Sequence, residues 1–530
     1  MQFTADAIYA SRRSPVFARN VVAASQPLAT QAGIEMLRKG GNALDAALAV
    51  AITLPVVEPT GNGIGADAFC IIWDGSTLHG LNASGRAPAA WTPSRFAGRD
   101  RMPKRGWDSV TVPGAVSAWA ELSARFGRLP FKTLFEPAIR YAERGFHVTP
   151  IIAGQWQANA EALHAGPGFA EAFMPNGRAP RAGELFACPD IARSLTLIAE
   201  TNGKAMYTGA LAEKIAAFAK AGGGAITMED LAAHRNDWCG TISKSIGGIS
   251  LHEIPPNGQG IAACMALGIL DHLGIGDYAV DSVDALHVQI EAMKLAFADV
   301  RAHVGDLSYM TNVTVDHLLD DAYLASRAKL IDPKKAKSYG PGRAGGSDTV
   351  CLATADENGM MVAYIQSNYS GFGSGVVVPG TGIALQNRGS GFSLRPGHAN
   401  EVGPGKRPFH TIIPGFVTDG KNPRMAFGLM GGDMQAQGHV QMVLRTQIWN
   451  QDPQTAADAP RWRFAGGLDV AIEATAGARV LSALAERGHH VLSNADELES
   501  GFGGAQLIHR IDGGYVAGSD PRKDGQAAGF

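Results

Sequence analysis

Cysteine is scarce in this 530-residue chain: Cys70, Cys188, Cys239, Cys264 and Cys351 are an odd number at wide, irregular spacing. Such a set excludes a disulfide framework and a CxxC metal or redox motif, and it suits a reducing compartment. An excess of charge is missing too. The 46 Lys and Arg against 49 Asp and Glu leave a formal −3, so no basic field points to nucleic acid or to an anionic membrane. No apolar run is long enough to cross a bilayer; the longest, Ala43 to Val57, carries Asp45 and Pro55. The first twenty residues contain Arg12-Arg13, but no apolar stretch after them would serve as the h-region of a secretory signal. The expectation is a cytoplasmic protein without internal repeats.

What remains is a folded composition, 45% hydrophobic and 18% charged, long enough for two or three domains or one large layered body. Residues 27–39 read as a helix with Pro27 at its start and Gly40-Gly41 as its stop. Asn42 caps a second helix, 43–54, apolar on every side and therefore buried. Gly61, Gly63 and Gly65 follow a helix and precede a strand, the reverse of a dinucleotide-binding order, so they read as a tight loop rather than a phosphate cradle. A strand pair, 69–73 and 77–81, comes next. Residues 150–245 read as helical, with His234 and Trp238 solitary. His287, Glu291, Lys294 and Asp299 share one face of a helix over 284–300, where such spacing supports the helix rather than a metal. Residues 506–511 and 515–518 form a closing hairpin across Asp512-Gly-Gly.

The most informative stretch runs from Gly345 to Gly375. Val350, Leu352 and Thr354 alternate with small residues up to Asp356-Glu-Asn-Gly359, and a β-rich run from Met361 to Ile365 follows, which predicts a hairpin with an Asn-Gly turn. Thr349 then opens a strand behind a Gly-rich linker that includes Lys334, Lys335 and Lys337. Cys351, two residues on, reads as a strand residue. A threonine hydroxyl needs a base beside it to act as a nucleophile. A chain cut before Thr349 would supply one in the residue's own α-amine, whose ordinary pKa is ~7.7–8.0. Taken alone, the local pattern also fits an ordinary strand start.

That stretch resembles the small subunit of the γ-glutamyltranspeptidase family, together with Gly380-Thr-Gly-Ile-Ala-Leu-Gln-Asn-Arg388, Gly403-Pro-Gly-Lys-Arg-Pro408 and Gly431-Gly432. Val110-Thr-Val-Pro-Gly-Ala-Val-Ser-Ala-Trp119 and the ending Ser519-Asp-Pro-Arg-Lys-Asp-Gly525 are similar to it as well. The resemblance implies an α+β fold, the four-layer αββα sandwich of N-terminal-nucleophile hydrolases. It implies a precursor that cuts itself between Asp348 and Thr349 into a large subunit, 1–348, and a small one, 349–530, intertwined in one body. Thr349 would be the nucleophile, the backbone N–H groups of Gly431 and Gly432 the oxyanion donors, and Asn368 a contact to the acyl group. The glycine loop at 61–65 would pack near the reaction centre. No cofactor and no metal are implied. The partners are a small-molecule amide and the two subunits of one precursor, and a dimer of heterodimers is left open.

Departures from the family pattern bear on substrate. Transpeptidases hold an α-ammonium with an acidic residue where this chain has Gly391, and an α-carboxylate with two serines where it has His410 and Thr411. Aligned on Ala87-Pro88, their carboxylate-binding arginine falls at Ser84, and Arg86, two positions on, is the candidate for its role. With Arg388 adding positive charge and no acid opposite, a small anionic acyl group is favoured over a cationic amino-acid head. Arg86, Arg388, His410 and Thr411 are the expected substrate-binding residues. The pattern is similar to the oxamate amidohydrolase branch and to the cephalosporin acylases of the family. The expected activity is hydrolysis of a small acidic amide, oxamate being the best single candidate. The competing readings are a γ-glutamyltransferase or glutathione hydrolase, a glutaryl acylase, and a non-catalytic binding scaffold.

Overall fold

The computed structural model describes residues 12–339, 348–492 and 499–530. Two seven-stranded sheets lie face to face. One runs in the order Gln526–Gly529, Val21–Ala24, Asp348–Ala355, Met361–Tyr369, Asp67–Trp73, Leu78–Asn82, Asp237–Trp238. The other runs Val16–Ala18, Gly514–Ser519, Ala505–Ile511, Asn422–Leu429, Pro414–Asp419, Ile249–Glu253, Ile242–Ile246. Every pairing within these two sheets is antiparallel.

The layering follows from the alternation of side chains along the strands. Cys351, Ala353 and Ala355 join Phe416, Ala426 and Ile508 of the opposite sheet in one buried cluster. Val350 and Leu352, of opposite parity, pack with the helix Ala43–Val57 in a second. On the far side, Leu251, Val417 and Phe427 meet the helices Gly260–His272, Val283–His303 and Met434–Val443 in a third. Helix, sheet, sheet, helix is the αββα sandwich, and the fold is α+β. Both sheets draw strands from either side of position 349.

The helix from Ala43 continues to Val57, three residues beyond the sequence expectation, with Pro55 inside it and all of its residues buried. Pro55 cannot donate to the carbonyl of Ala51. Gln366 Nε2, at 3.4 Å, takes that place, so tertiary contact supplies what the proline removes. Asn42 caps the helix as expected, in a reciprocal box with Asp45. The region 150–245 is not helical throughout: Trp238 pairs with Leu81, and Ile242–Ile246 is an edge strand whose burial alternates. That strand has period 2, which a helical reading overlooks.

Candidate active site

Thr349 sits near the start of the strand Asp348–Ala355, where the register with Met361–Tyr369 shifts between Asp348 and Val350. It is 1% exposed. Its Oγ donates to Ser367 Oγ at 3.2 Å and accepts from Gln435 Nε2 at 3.4 Å. The loop at 61–65 presses against this end of the sheet. A Cβ on Gly61 would stand 3.2 Å from the Thr349 carbonyl oxygen, and one on Gly63 would stand 2.9 Å from Asn368 Nδ2. A side chain at either position would press the Thr349 backbone or the Asn368 amide out of place.

Gly431 and Gly432 join the strand Asn422–Leu429 to the helix Met434–Val443, with φ of +107° and +62°. Their carbonyls accept from the amides of Met434 and Gln435 at 3.1 Å, and Gln259 Nε2 donates to the Gly432 carbonyl at 2.8 Å. Among the described residues neither glycine N–H has an acceptor. The same turn places Gln435 against Thr349, so two free donors and the hydroxyl share one neighbourhood.

Arg388 is buried, 1% exposed. Its Nη1 donates to Thr411 Oγ at 2.9 Å and its guanidinium lies 4.6 Å from the centre of the Tyr369 ring. Nε and Nη2 have no partner among the described residues, and neither does the amide oxygen or nitrogen of Asn368. Asn368 and Arg388 are linked through the backbone, since the amide of Asn387 donates to the Asn368 carbonyl at 3.1 Å. Buried polar groups left unsatisfied are rare enough to require an explanation, such as catalysis or an absent water or ion.

Behind Arg388 lies Asp67, which accepts from the amides of Gly85 and Gly114 at 3.0 and 3.1 Å and stands 3.1 Å from His410 Nε2. Burial pushes Asp67 up to about 7, against the pull of Arg388, the two amides and Arg407. Burial also drives His410 well below its ordinary range, helped by Arg388 and Arg407. His410 is therefore neutral, sharing a hydrogen bond between Nε2 and Asp67, and its Nδ1 has no partner among the described residues. Burial lowers Arg388 to about 10, with Asp67 and Tyr369 opposing. It stays cationic at neutral pH.

A cavity of about 360 Å³ opens beyond Tyr369 and Thr411, bounded also by Gln259, Arg301, Gly391, Arg395, His398 and Asp433. Asp433 pairs with Arg301 at 3.2 Å. Burial raises the Asp433 carboxyl, while Arg301 and Arg463 hold it down.

The sequence profile described as gamma-glutamyltranspeptidase matches residues 29–530. The chain belongs to the γ-glutamyltranspeptidase family. It is 36% identical to the oxamate amidohydrolase proenzyme of Klebsiella pneumoniae, over 98% of this chain and 99% of that protein. It is 35% identical to the glutathione hydrolase-like YwrD proenzyme of Bacillus subtilis, over 98% and 100%. In structure it is similar to the cephalosporin acylase from Bacillus halodurans, with a TM-score of 0.95 at 48% identity, covering 100% of this chain and 99% of that one. Membership makes it an N-terminal-nucleophile amidohydrolase, a C–N bond hydrolase. Among the described residues no helix is long and apolar enough to cross a membrane.

Set against the family pattern, Thr349 adjoins the Gly431-Gly432 turn through Gln435, Asn368 is linked to Arg388 through Asn387, and Arg388 bonds Thr411 next to His410, all of them buried. Arg86 does not join them. It is 39% exposed, shared between the carboxylates of Asp237 and Asp306 at 3.5 and 3.6 Å, and bounds no part of the cavity. The buried arginine beside Ser84 is Arg407, whose Nε donates to the Ser84 carbonyl at 2.8 Å. Gly391 lines the cavity without an acid, as read from the sequence, but Asp433, not foreseen there, also lines it with a carboxylate. The Asp348 side chain and the linker at 340–347 lie outside the described residues.

Ser367, Gln435, Gln259, Asp67, Tyr369 and Asp433 were missed in the sequence. Adjacency to motif residues is the signal that would have found most of them: Asp433 and Gln435 follow Gly431-Gly432, Ser367 and Tyr369 flank Asn368, and Asp67 follows the glycine loop at 61–65. Cys351 is buried in its strand, as expected, and burial pushes its thiol upward. His287, Glu291 and His489 bring their donor atoms within 4.8 Å of one another, the one such group among the described residues. These atoms are engaged: His287 with His489 at 2.9 Å and with the Asp332 carbonyl at 2.8 Å, and Glu291 with Lys294 at 2.7 Å and Tyr339 at 2.9 Å. A divalent cation there would sit beside an ammonium. The cluster clamps 332–339 to the helix Val283–His303.

Proposed function

We propose that this protein is a self-processing amidohydrolase whose nucleophile is Thr349 and whose substrate carries a small acidic acyl group, oxamate being the best candidate. The observation that carries the reading is Arg388: a buried cation next to the Asn387–Asn368 link, with two unpartnered nitrogens. A carboxylate one bond from the scissile carbonyl would occupy those donors and relieve their desolvation. The relatives described as proenzymes support a processed precursor.

In the first step Thr349 Oγ adds to the Asp348 carbonyl, the C–N bond breaks, and an ester joins the two residues. Water opens the ester, leaving a carboxylate on Asp348 and a free α-amine on Thr349. That amine then takes the hydroxyl proton as Oγ attacks the amide, and returns it to the departing ammonia. Negative charge building on the carbonyl oxygen is met by the Gly431 and Gly432 amides; one such donor is worth ~2.7–4 kcal/mol. Water releases the acyl group from Oγ as oxalate. Arg388 and Asn368 hold the acyl end, and Thr411 orients Arg388. Two polypeptides, 1–348 and 349–530, remain in one sandwich.

A longer dicarboxylic monoamide is the second reading. The cavity beyond Tyr369, at about 360 Å³, exceeds what oxamate needs, and Arg301 and Arg395 bound it. Its size falls in the ~300–1,000 Å³ range of pockets that take larger ligands. Ammonia release from oxamate, glutaramate and glutathione, each at several concentrations, tests the assignment. The reading expects turnover of a monoamide whose acyl group bears a free carboxylate and no ammonium. Turnover of glutathione alone would replace it with the γ-glutamyl hydrolase.

A further inference from the structure

We infer that Tyr369 sets the acyl length this site accepts, by standing between the Arg388 subsite and the larger cavity; the inference rests on the reading of Arg388 as the carboxylate receptor. Three observations bear on it. Tyr369 lines the cavity, and its ring also covers Arg388, with 4.6 Å from guanidinium to ring centre. Arg388 itself does not line the cavity, although its hydrogen-bond partner Thr411 does. The ring is thus the partition on one side and the Thr411 hydroxyl on the other.

The third observation is conformational. Tyr369 has φ of +78°, a left-handed backbone that disfavours bulky side chains and clusters at functional sites. The strand Met361–Tyr369 ends on it, paired across the ladder with Asp348. The backbone there is additionally fixed by the Tyr369 amide donating to Ser367 Oγ at 2.8 Å, the hydroxyl that meets Thr349. A ring held in an unfavourable backbone, anchored through the neighbour of the proposed nucleophile, is aimed rather than accommodated. With it in place, Arg388 is shut off from the cavity, so the acyl group that reaches it must be short. Without it, Arg388 and the cavity bounded by Arg301, Arg395 and Asp433 become one continuous pocket, which a chain of several methylenes can span. Asp433, paired with Arg301, stays outside the inner subsite and faces whatever enters the outer one.

The position itself supplies a mild test, because glycine adopts positive φ without strain. Tyr369→Gly removes the ring and relaxes the backbone together. The wild type and the variant are each taken through self-cleavage, verified as two bands, and assayed for ammonia release from oxamate and from glutaramate. The expected result is a rise of ~10-fold or more in the ratio of glutaramate to oxamate kcat/KM, the scale on which pockets discriminate by a few methylenes. If Tyr369→Gly stays uncut, Tyr369→Asn, which also tolerates left-handed backbone, is measured the same way. An active variant with the wild-type ratio overturns the role of Tyr369 and leaves the Arg388 reading standing. A wild type that turns over neither amide overturns the Arg388 reading, and the inference with it.

Discussion

Two arginines, Arg388 and Arg461, are buried to the same degree in different company. Arg461 donates to the carbonyls of Phe502 and Ala457 at 2.8 and 3.3 Å and pairs with Asp520. Asp520 in turn accepts from Arg522 at 3.1 Å and from the Ala505 amide at 2.7 Å, and Arg522 reaches Glu473. Burial would raise the Asp520 carboxyl, yet Arg461, Arg522 and two backbone amides outweigh it and hold it below its usual value. At Asp67, near Arg388, burial wins and the carboxyl rises to about 7. Arg461 has a carboxylate in direct contact and leaves only Nε without a partner among the described residues, whereas Arg388 leaves Nε and Nη2 and has no carboxylate within ion-pair distance there. A buried charge with a carboxylate in contact maintains the fold, whereas on the reading proposed above the one without it receives a ligand.

That contrast is open to direct attack. The largest stability effect belongs to Arg461→Ala, which leaves Asp520 and its partners uncompensated in the interior. A loss of ~3–5 kcal/mol in denaturant unfolding is expected, with kcat/KM of the folded fraction unchanged. Arg388→Ala should do the opposite. Self-cleavage proceeds, the denaturation midpoint moves little, and kcat/KM for oxamate drops ~10²-fold, within the ~2–5 kcal/mol range for deleting one partner of a buried charge pair. Arg86→Ala, at the half-exposed rim of its ion-pair network, should leave kcat/KM within about twofold and cost no more than ~1 kcal/mol. Similar losses of stability for Arg388→Ala and Arg461→Ala would erase the distinction.

A further expectation concerns pH. Asp67 keeps its proton in the folded state up to about 7, whereas the unfolded chain releases it near the ordinary carboxylate value. Between those two pH values the folded form binds more protons, so the stabilisation from Asp67 is full at the acidic end and declines as pH rises to about 7. The stability of the wild type relative to Asp67→Asn should fall across that window and run level above it. A relative stability that climbs with pH instead would mean that Arg388 already holds Asp67 ionised.

Much of this fold was legible because its strands alternate. Val350, Leu352 and Thr354 against Cys351, Ala353 and Ala355 told which residues share a face, and the glycines at 61, 63 and 65 marked a close backbone approach. The extension of the first buried helix through Pro55 was not legible, because it depends on Gln366, more than three hundred residues away in sequence. Within the site, residues tied to a recognisable motif could be named from the sequence: Thr349, Asn368, Gly431 and Gly432. Ser367, Gln259 and Asp67 could not be given a role, since their contribution lies in distance to a partner, although Ser367 adjoins Asn368 and Asp67 follows the glycine loop. Arg86 shows the reverse error. Proximity in sequence to a motif suggested a role, but two carboxylates, Asp237 and Asp306, had already claimed its guanidinium.

Everything proposed for the chemistry depends on Thr349 becoming an amino terminus, and purified protein answers that by N-terminal sequencing with intact mass. The account predicts a fragment beginning Thr-Val-Cys-Leu, with the mass of residues 349–530, in wild-type protein and none in Thr349→Ala. A single uncut chain that nevertheless hydrolyses amides, or a fragment starting at any other residue, would contradict it.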